Sequence, residues 1–436
     1  MLYPGRNISH SMIISCWQFQ SACKGFSLAI LATQTLTEPY PLPLDFDRRI
    51  VVVAGAFLIQ AVTIGFMFAY GVFFSELERE FGWSRTMLSA ASSIGFLSMG
   101  LLAILAGRLN DRFGPRWVLT VSGLFTALAY LLMSGISQPW QLFVIYAALV
   151  GVGLSTHDVV TLSTVARSYP RRRGLMTAVV KVGTATGQMV IPLVVVFFIA
   201  QTGWRNTFVL MGMAGAVVLC VAAWMTGADS AGRKSRSTTG GEVTGFTFAQ
   251  ARQTSQLWLL CVMQFFFFSA LTTIPVHIVP HGIDSGLTGT AAATLLSTIA
   301  LSSIVGRLLV GLSIDQLGGR SAYIICLTPL ALSLLSLLFV DTVVLFYLFA
   351  FFYGFAHGGL FTVVSPAIAE YFGLREHGAI FGIVVLFGTL GGAAMPIVAG
   401  MVFDQLQSYE FAFGLLAAMA FASLICATRL TPPKAA

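Results

Sequence analysis

From residue 48 onward the chain alternates long apolar runs with short polar connections. The runs fall at about 50–74, 86–107, 117–136, 140–165, 174–200, 206–226, 257–280, 288–312, 321–340, 343–369, 378–403 and 410–428. Each approaches or exceeds the ~20 residues that a helix needs to cross ~30 Å of hydrocarbon. The runs are continuous, whereas a membrane β-barrel would show shorter, alternating segments. The longest polar interval inside the array, residues 228–256, divides the spans six and six. The pattern therefore predicts an all-α integral membrane protein of twelve transmembrane helices. It consists of a tail at 1–47, a six-helix bundle at 48–227, a flexible basic linker at 228–256, a second bundle at 257–428 and a short tail at 429–436. A weak apolar patch in the first tail, SLAILA, is too short to span and has no convincing cleavage site, so residues 1–47 are expected to be either a disordered tail or a stretch preceding the true start.

The polar connections contain a repeat. The loop after the second span reads GRLNDRFGPR and the loop after the eighth reads GLSIDQLGGR, both fitting G-x-x-x-D-x-x-G-x-R. Gly107/Gly311, Asp111/Asp315, Gly114/Gly318 and Arg116/Arg320 share an offset of 204, as do Arg171/Arg375, Gly174/Gly378, Gly187/Gly391 and Pro192/Pro396. So many landmarks in one register indicate two copies of a six-helix unit. Related by an axis along the membrane normal, such parallel repeats are associated with alternating-access transport.

Composition agrees, with 57% apolar and 9% charged residues against about 25% charged in a soluble domain. The net charge of +7 would suit a nucleic acid, but its distribution gives a simpler reading. Of the 24 Lys and Arg residues, Arg79, Arg85 and Arg205 fall on one side, Lys181 and Arg307 fall inside spans, and the other 19 fall on the opposite side. The positive-inside rule then places both termini in the cytoplasm, in the inner membrane of a bacterium, with no nucleic-acid partner required. Trp83, Trp117, Trp140, Trp204, Trp224 and Trp258 mark span ends, where an interfacial belt is expected. Glu76, Glu78 and Glu80 read as a solvated loop. The six cysteines are scattered without C-x-x-C or metal-ligand spacing. With no H-E-x-x-H, no nucleophile motif and no phosphate-binding G-x-x-x-x-G-K-[ST] loop, the sequence predicts neither an enzyme nor a cofactor or metal.

A charge at the bilayer centre costs about 2.5–3.5 kcal/mol on insertion scales, so each one needs a partner or a task. Arg307 precedes Asp315 by eight residues and lies about 12 Å inside the membrane, with Thr294, Thr298, Ser302 and Ser303 on the approach to it. Its planar fork suits a carboxylate. Lys181 lies eight residues beyond Arg173, at about the same depth. It shares a helix face with Thr184 and Gln188, while Gly183 and Gly187 form a packing patch. His157 and Asp158 fall near the middle of span 4. An Asp158–Lys181 pair would cancel two of the three charges, either as a permanent bridge or as a proton-coupling switch. His277, near the outer end of span 7, and His357, one turn after Tyr353 in span 10, are further polar candidates and possible pH sensors. Gln60, Thr63, Met67 and Tyr70 form a stripe in span 1 that either lines a cavity or packs.

The duplicated loop resembles the signature loop of the major facilitator superfamily, and the resemblance covers residues 48–428. EFGWSR (80–85), TGWRNTF (202–208), VHIVPH (276–281), SSIVGRLLVGLSID (302–315) and AEYFGLREHGAIFGI (369–383) resemble its bacterial monocarboxylate transporter-like and oxalate/formate antiporter-like members. The resemblance implies the major facilitator fold, a substrate-carboxylate role for Arg307 and a place beside the cavity for His277. It also implies a cytoplasmic latch built from Asp111, Arg112, Arg116, Asp315 and Arg320 that stabilises an outward-facing state. The lysine departs from the pattern, since those relatives carry their second cation in span 1 or span 11, where this chain has no Lys or Arg. The expected activity is secondary transport of a small organic anion, a monocarboxylate, with proton symport or exchange. Substrate-binding candidates are Arg307, Lys181, His277, His157, Tyr70, Tyr353 and His357; Asp158 and His157 are the proton-coupling candidates. The expected partners are the organic anion, protons and the lipid bilayer, with the protein a monomer. The alternatives are efflux of hydrophobic compounds, carriage of another solute such as a sugar, or a transporter-like sensor.

Overall fold

Apolar side chains without water leave backbone groups to be satisfied within the segment, and the chain answers with long helices. The computed structural model describes residues 46–83, 85–228, 245–340 and 342–432. The tail at 1–45, with Cys16 and Cys23, and linker residues 229–244 lie outside the described residues. The fold is that of the unit Asp47–Ala436. Among the described residues, ten helices are long and apolar enough to cross a membrane. Two are too long for one crossing: Arg173–Thr226 has 54 residues and Gly289–Ser336 has 48, which at 1.5 Å per residue would reach about 80 and 70 Å. Each turns back at a glycine in a conformation closed to L side chains, Gly203 (φ 80, ψ 163) and Gly318 (φ 77, ψ 165).

The twelve resulting spans are α1 Phe46–Phe81, α2 Arg85–Phe113, α3 Pro115–Met133, α4 Pro139–Ser168, α5 173–202, α6 204–226, α7 Ser255–Asp284, α8 289–317, α9 319–336, α10 Val343–Phe372, α11 His377–Leu406 and α12 Glu410–Thr428. Gly114, between α2 and α3, has φ 83 and ψ 165. This nearly repeats Gly318 and makes the two signature loops the same turn.

The halves meet along two seams that mirror each other. Gly107 of α2 lies against Gly378 of α11, where an added Cβ would come within 2.1 Å of the Gly378 carbonyl oxygen. Gly311 of α8 lies against Gly174 of α5, with 2.9 Å to the equivalent oxygen. Within each half the register repeats too, Gly187 meeting the Ala61 carbonyl and Gly391 the Phe265 carbonyl. Small residues allow these close approaches, as is usual between helices in lipid.

Two sequence readings change. α1 continues to Phe81, so Glu76–Glu80 are helical. Glu80 there accepts hydrogen bonds from the indole Nε1 of Trp204 and, at 2.8 Å, from Arg205. Trp204 accordingly leaves the expected interfacial belt: it is buried against Phe81 and Phe208, its polar tip satisfied by that carboxylate.

Candidate functional site

α4 is irregular where its polar residues sit. A π turn at Tyr146–Val150 precedes a helix ending at His157, and the helix resumes at Val159. Such interruptions often accompany function. Side chains compete for the backbone here: the Thr161 hydroxyl and Gln60 Nε2 (2.9 Å) both donate to the His157 carbonyl. Gln60 of α1 also donates to Asp158 Oδ1 (2.8 Å) and Thr161 Oγ1 (3.1 Å), and accepts from Thr184 of α5 (2.9 Å). One amide thus joins α1, α4 and α5.

Lys181 Nζ donates to Asp158 Oδ1 in the same cluster, and His157 Nε2 lies 3.5 Å from that oxygen. Lys181 is 1% exposed and Asp158 8%, so the pair sits where mutual attraction is least weakened by water. Arg307 approaches from α8 in the other half. It is 2% exposed, and its Nη1 donates to the Lys181 carbonyl oxygen at 2.5 Å. Among the described residues Arg307 has no ion pair within 4.0 Å, and its Nε has no hydrogen-bond partner. The cluster therefore holds two cations against one carboxylate.

The ring of Phe361 in α10 stands where a second anion would otherwise be wanted. Its centroid is 4.8 Å from Lys181 Nζ and 5.4 Å from Arg307 Cζ, within cation–π range of both. His357, one turn earlier, stacks on Tyr353 with a 5.9 Å centroid separation, and its Nδ1 is buried without a hydrogen-bond partner among the described residues. Tyr353 donates to the Ala270 carbonyl of α7 at 3.0 Å.

The remaining candidates lie elsewhere. Tyr70 donates to the Leu88 carbonyl at 2.9 Å and packs on Phe74 and Tyr146 in the core of the first half. His277 is 3.3 Å from both the Tyr409 hydroxyl and the Pro396 carbonyl, joining α7, α11 and the start of α12. Ser302 and Ser303 of α8 pack on Gly354 and Gly358 of α10.

At the arginine-rich end, each duplicated aspartate caps a helix of the opposite half. Asp315 accepts from the backbone N–H of Gly174 (2.8 Å) and Leu175 (3.2 Å) at the start of α5. Asp111 accepts from Ala379 N–H (3.2 Å) at the start of α11 and from Arg167, which also reaches the Leu374 carbonyl at 3.3 Å. A carboxylate at a helix N-terminus meets free N–H groups and the positive end of the dipole. Arg112 lies over Phe113, Arg116 over Trp224, and Arg320 is exposed. The end of the linker docks nearby: Phe246 N–H donates to the Phe372 carbonyl (2.8 Å), Phe248 N–H donates to Glu376 (2.6 Å), and Arg108 of α2 covers the Phe248 ring at 5.2 Å.

Sequence reasoning had singled out the charges but not Phe361, Thr161 or Arg167. An aromatic partner of a cation has no pattern of its own.

Comparison with known proteins agrees with this architecture. Residues 56–311 and 278–436 match the Major Facilitator Superfamily. Monocarboxylate transporter 13 of Rattus norvegicus is 26% identical over 83% of this chain and 84% of its own length. The MFS-type transporter YhjX of Escherichia coli is 24% identical over 79% and 86%. The agnestins efflux protein AgnL12 of Paecilomyces divaricatus is 23% identical over 86% of each chain. The proton:xylose symporter XylE has the same fold, with a TM-score of 0.67 at 15% identity over 87% of this chain and 95% of that one. The duplicated loop, the mirrored seams and this coverage lead to one conclusion: the chain is a multi-pass membrane transporter belonging to the Major Facilitator Superfamily.

Proposed function

We propose that this transporter moves a small organic anion, a monocarboxylate, by alternating access, coupled to protons or to exchange. The observation that carries the reading is Arg307, a guanidinium buried between the halves whose described neighbours are a carbonyl oxygen and a ring face. One surplus cation matches one carboxylate, which would bind Arg307 in the fork geometry that arginine favours. Lys181 closes on the same substrate from the other half once Asp158, with His157 beside it, takes up a proton and releases it. The arginine-rich end is the cytoplasmic face, and the two aspartate caps hold it shut in the outward-facing state. Similarity to monocarboxylate transporters supports the substrate class.

The test is uptake of a panel of labelled monocarboxylates by purified protein in liposomes. The expected result is saturable uptake, driven by an inward proton gradient or by internal substrate and lost on Arg307→Ala. Undiminished uptake by that variant would overturn the role of Arg307. Similarity to an efflux protein supports a second reading, export of a larger organic compound. That reading would prevail if the panel gave no uptake while a deletion strain became sensitive to hydrophobic compounds.

A further inference from the structure

On the outer surface of the first half, away from the central charges, α1, α3 and α6 leave a groove of about 520 Å³ at the arginine-rich end. Val51 of α1 and Cys220, Val221, Trp224 and Met225 of α6 form its apolar wall, and a single charged side chain, Arg116 at the start of α3, lines it. Trp224 is 63% exposed and Val221 53%. In a membrane transporter, such apolar exposure faces lipid.

Arg116 is held in an unusual way. Its guanidinium carbon lies 4.2 Å from the Trp224 ring centroid, and its Nε is buried without a hydrogen-bond partner among the described residues. Gly227 makes this possible, because a Cβ there would come within 2.6 Å of the arginine Cβ and 3.2 Å of Nε. The cation is thereby laid along the end of α6, over the ring of Trp224. The repeat does not require this arrangement. Arg320, the counterpart of Arg116, has Thr428 where Arg116 has Trp224, and it is exposed.

We propose that the groove binds an anionic phospholipid, one acyl chain lying along Val51, Val221 and Trp224 and the phosphate seated on Arg116. Charge complementarity selects the headgroup. Arg48 and Arg49 precede Val51 by less than a turn, and Arg112 precedes Arg116 by four residues. Basic groups clustered at one membrane face attract net-negative headgroups, whereas a zwitterionic headgroup brings its own cation. Arginine offers a phosphate several donors in a planar array.

Native mass spectrometry of the full-length detergent-solubilised protein, titrated with dioleoyl phosphatidylglycerol or dioleoyl phosphatidylcholine, tests the proposal. The wild type is expected to retain one phosphatidylglycerol under activation that strips phosphatidylcholine. Arg116→Gln should weaken that retention about fivefold, and Arg116→Lys should keep part of it. Val51→Trp, which fills the groove and leaves the cation, should abolish it and covers the case in which Arg116→Gln does not fold. Equal retention of the two lipids by the wild type, or unchanged phosphatidylglycerol retention in both Arg116→Gln and Val51→Trp, would overturn the proposal. So would a Cys220 cross-link to the chain's own tail or linker that persists in excess phosphatidylglycerol, since the groove would then be filled from within.

Discussion

The two halves carry related sequences in one fold, yet they treat buried charge differently. In the first half Lys181 is matched by Asp158, which is further held by Gln60. At the arginine-rich end of the same half, Asp111 is matched by Arg167. The second half leaves Arg307 beside a carbonyl and a ring, and puts Tyr371 at the position equivalent to Arg167. A matched pair is a finished interaction, costly to break but with little reason to bind anything further. An unmatched cation keeps its desolvation cost until a ligand supplies the opposite charge. On the proposed reading, Arg307 of the second half meets the substrate first, and Lys181 of the first half joins it only once its pair with Asp158 is broken.

Replacing Arg307 by Met should separate these properties most sharply. Transport is expected to fall about a hundredfold, as when one member of a buried charge–ligand pair is removed. The melting temperature of the detergent-solubilised protein should hold or rise, because an unmatched buried charge has been taken away. A clear loss of thermal stability would mean that Arg307 is already satisfied by the protein, and the contrast between halves would fail.

Lys181→Met should do the reverse. Stranding Asp158 without its cation costs about 3–5 kcal/mol, and replacing both partners by neutral groups restores most of that. The double variant Lys181→Met/Asp158→Asn should therefore melt above the single one, while the pH dependence of its transport disappears. A double variant no more stable than Lys181→Met would show that the pair contributes independently of its charge.

Much of this frame could be read from the chain itself. The 204-residue offset anticipated that Gly114 and Gly318 would turn alike and that Gly187 and Gly391 would make matching close approaches within their own halves, because backbone approach depends on residue size and register, both visible in a sequence. Lys181 and Asp158 could be considered together because spans 4 and 5 are consecutive and only three charges lie deep in the chain. Gln60 was visible only as one member of a stripe that either lines a cavity or packs, since an amide's partners depend on which helix faces it. The seat of Phe361 between two cations was not legible at all. Phenylalanine is common here, at 36 residues, and nothing in its spacing distinguishes the ring that meets a charge from those that meet lipid. The same limit applied to Trp204, whose place at a span end suggested an interface until Glu80 was found beneath it.

The aspartate caps carry the comparison to the arginine-rich end with a smaller expected effect. Each cap joins opposite halves, so weakening either should open that face, measurable as faster labelling of a cysteine put in place of the buried Ser168 at the same end of α4. Asp315→Asn keeps an oxygen for the Gly174 N–H, gives up the longer 3.2 Å bond from Leu175 and loses the charge at the helix terminus. That contribution is about 0.3–1 kcal/mol, hence a severalfold change in labelling at most. Asp111→Asn makes the same loss and also strands Arg167, which is 10% exposed and otherwise bonded to the Leu374 carbonyl. A charged hydrogen bond adds about 1.5–3 kcal/mol, so the labelling rate should rise at least tenfold. Arg167→Gln in the Asp111→Asn background should recover part of the difference, because the stranded cation is then gone. Equal effects of the two aspartate variants would show that the helix N-termini alone close this face, and that the arginine in the first half and the tyrosine in the second are interchangeable there.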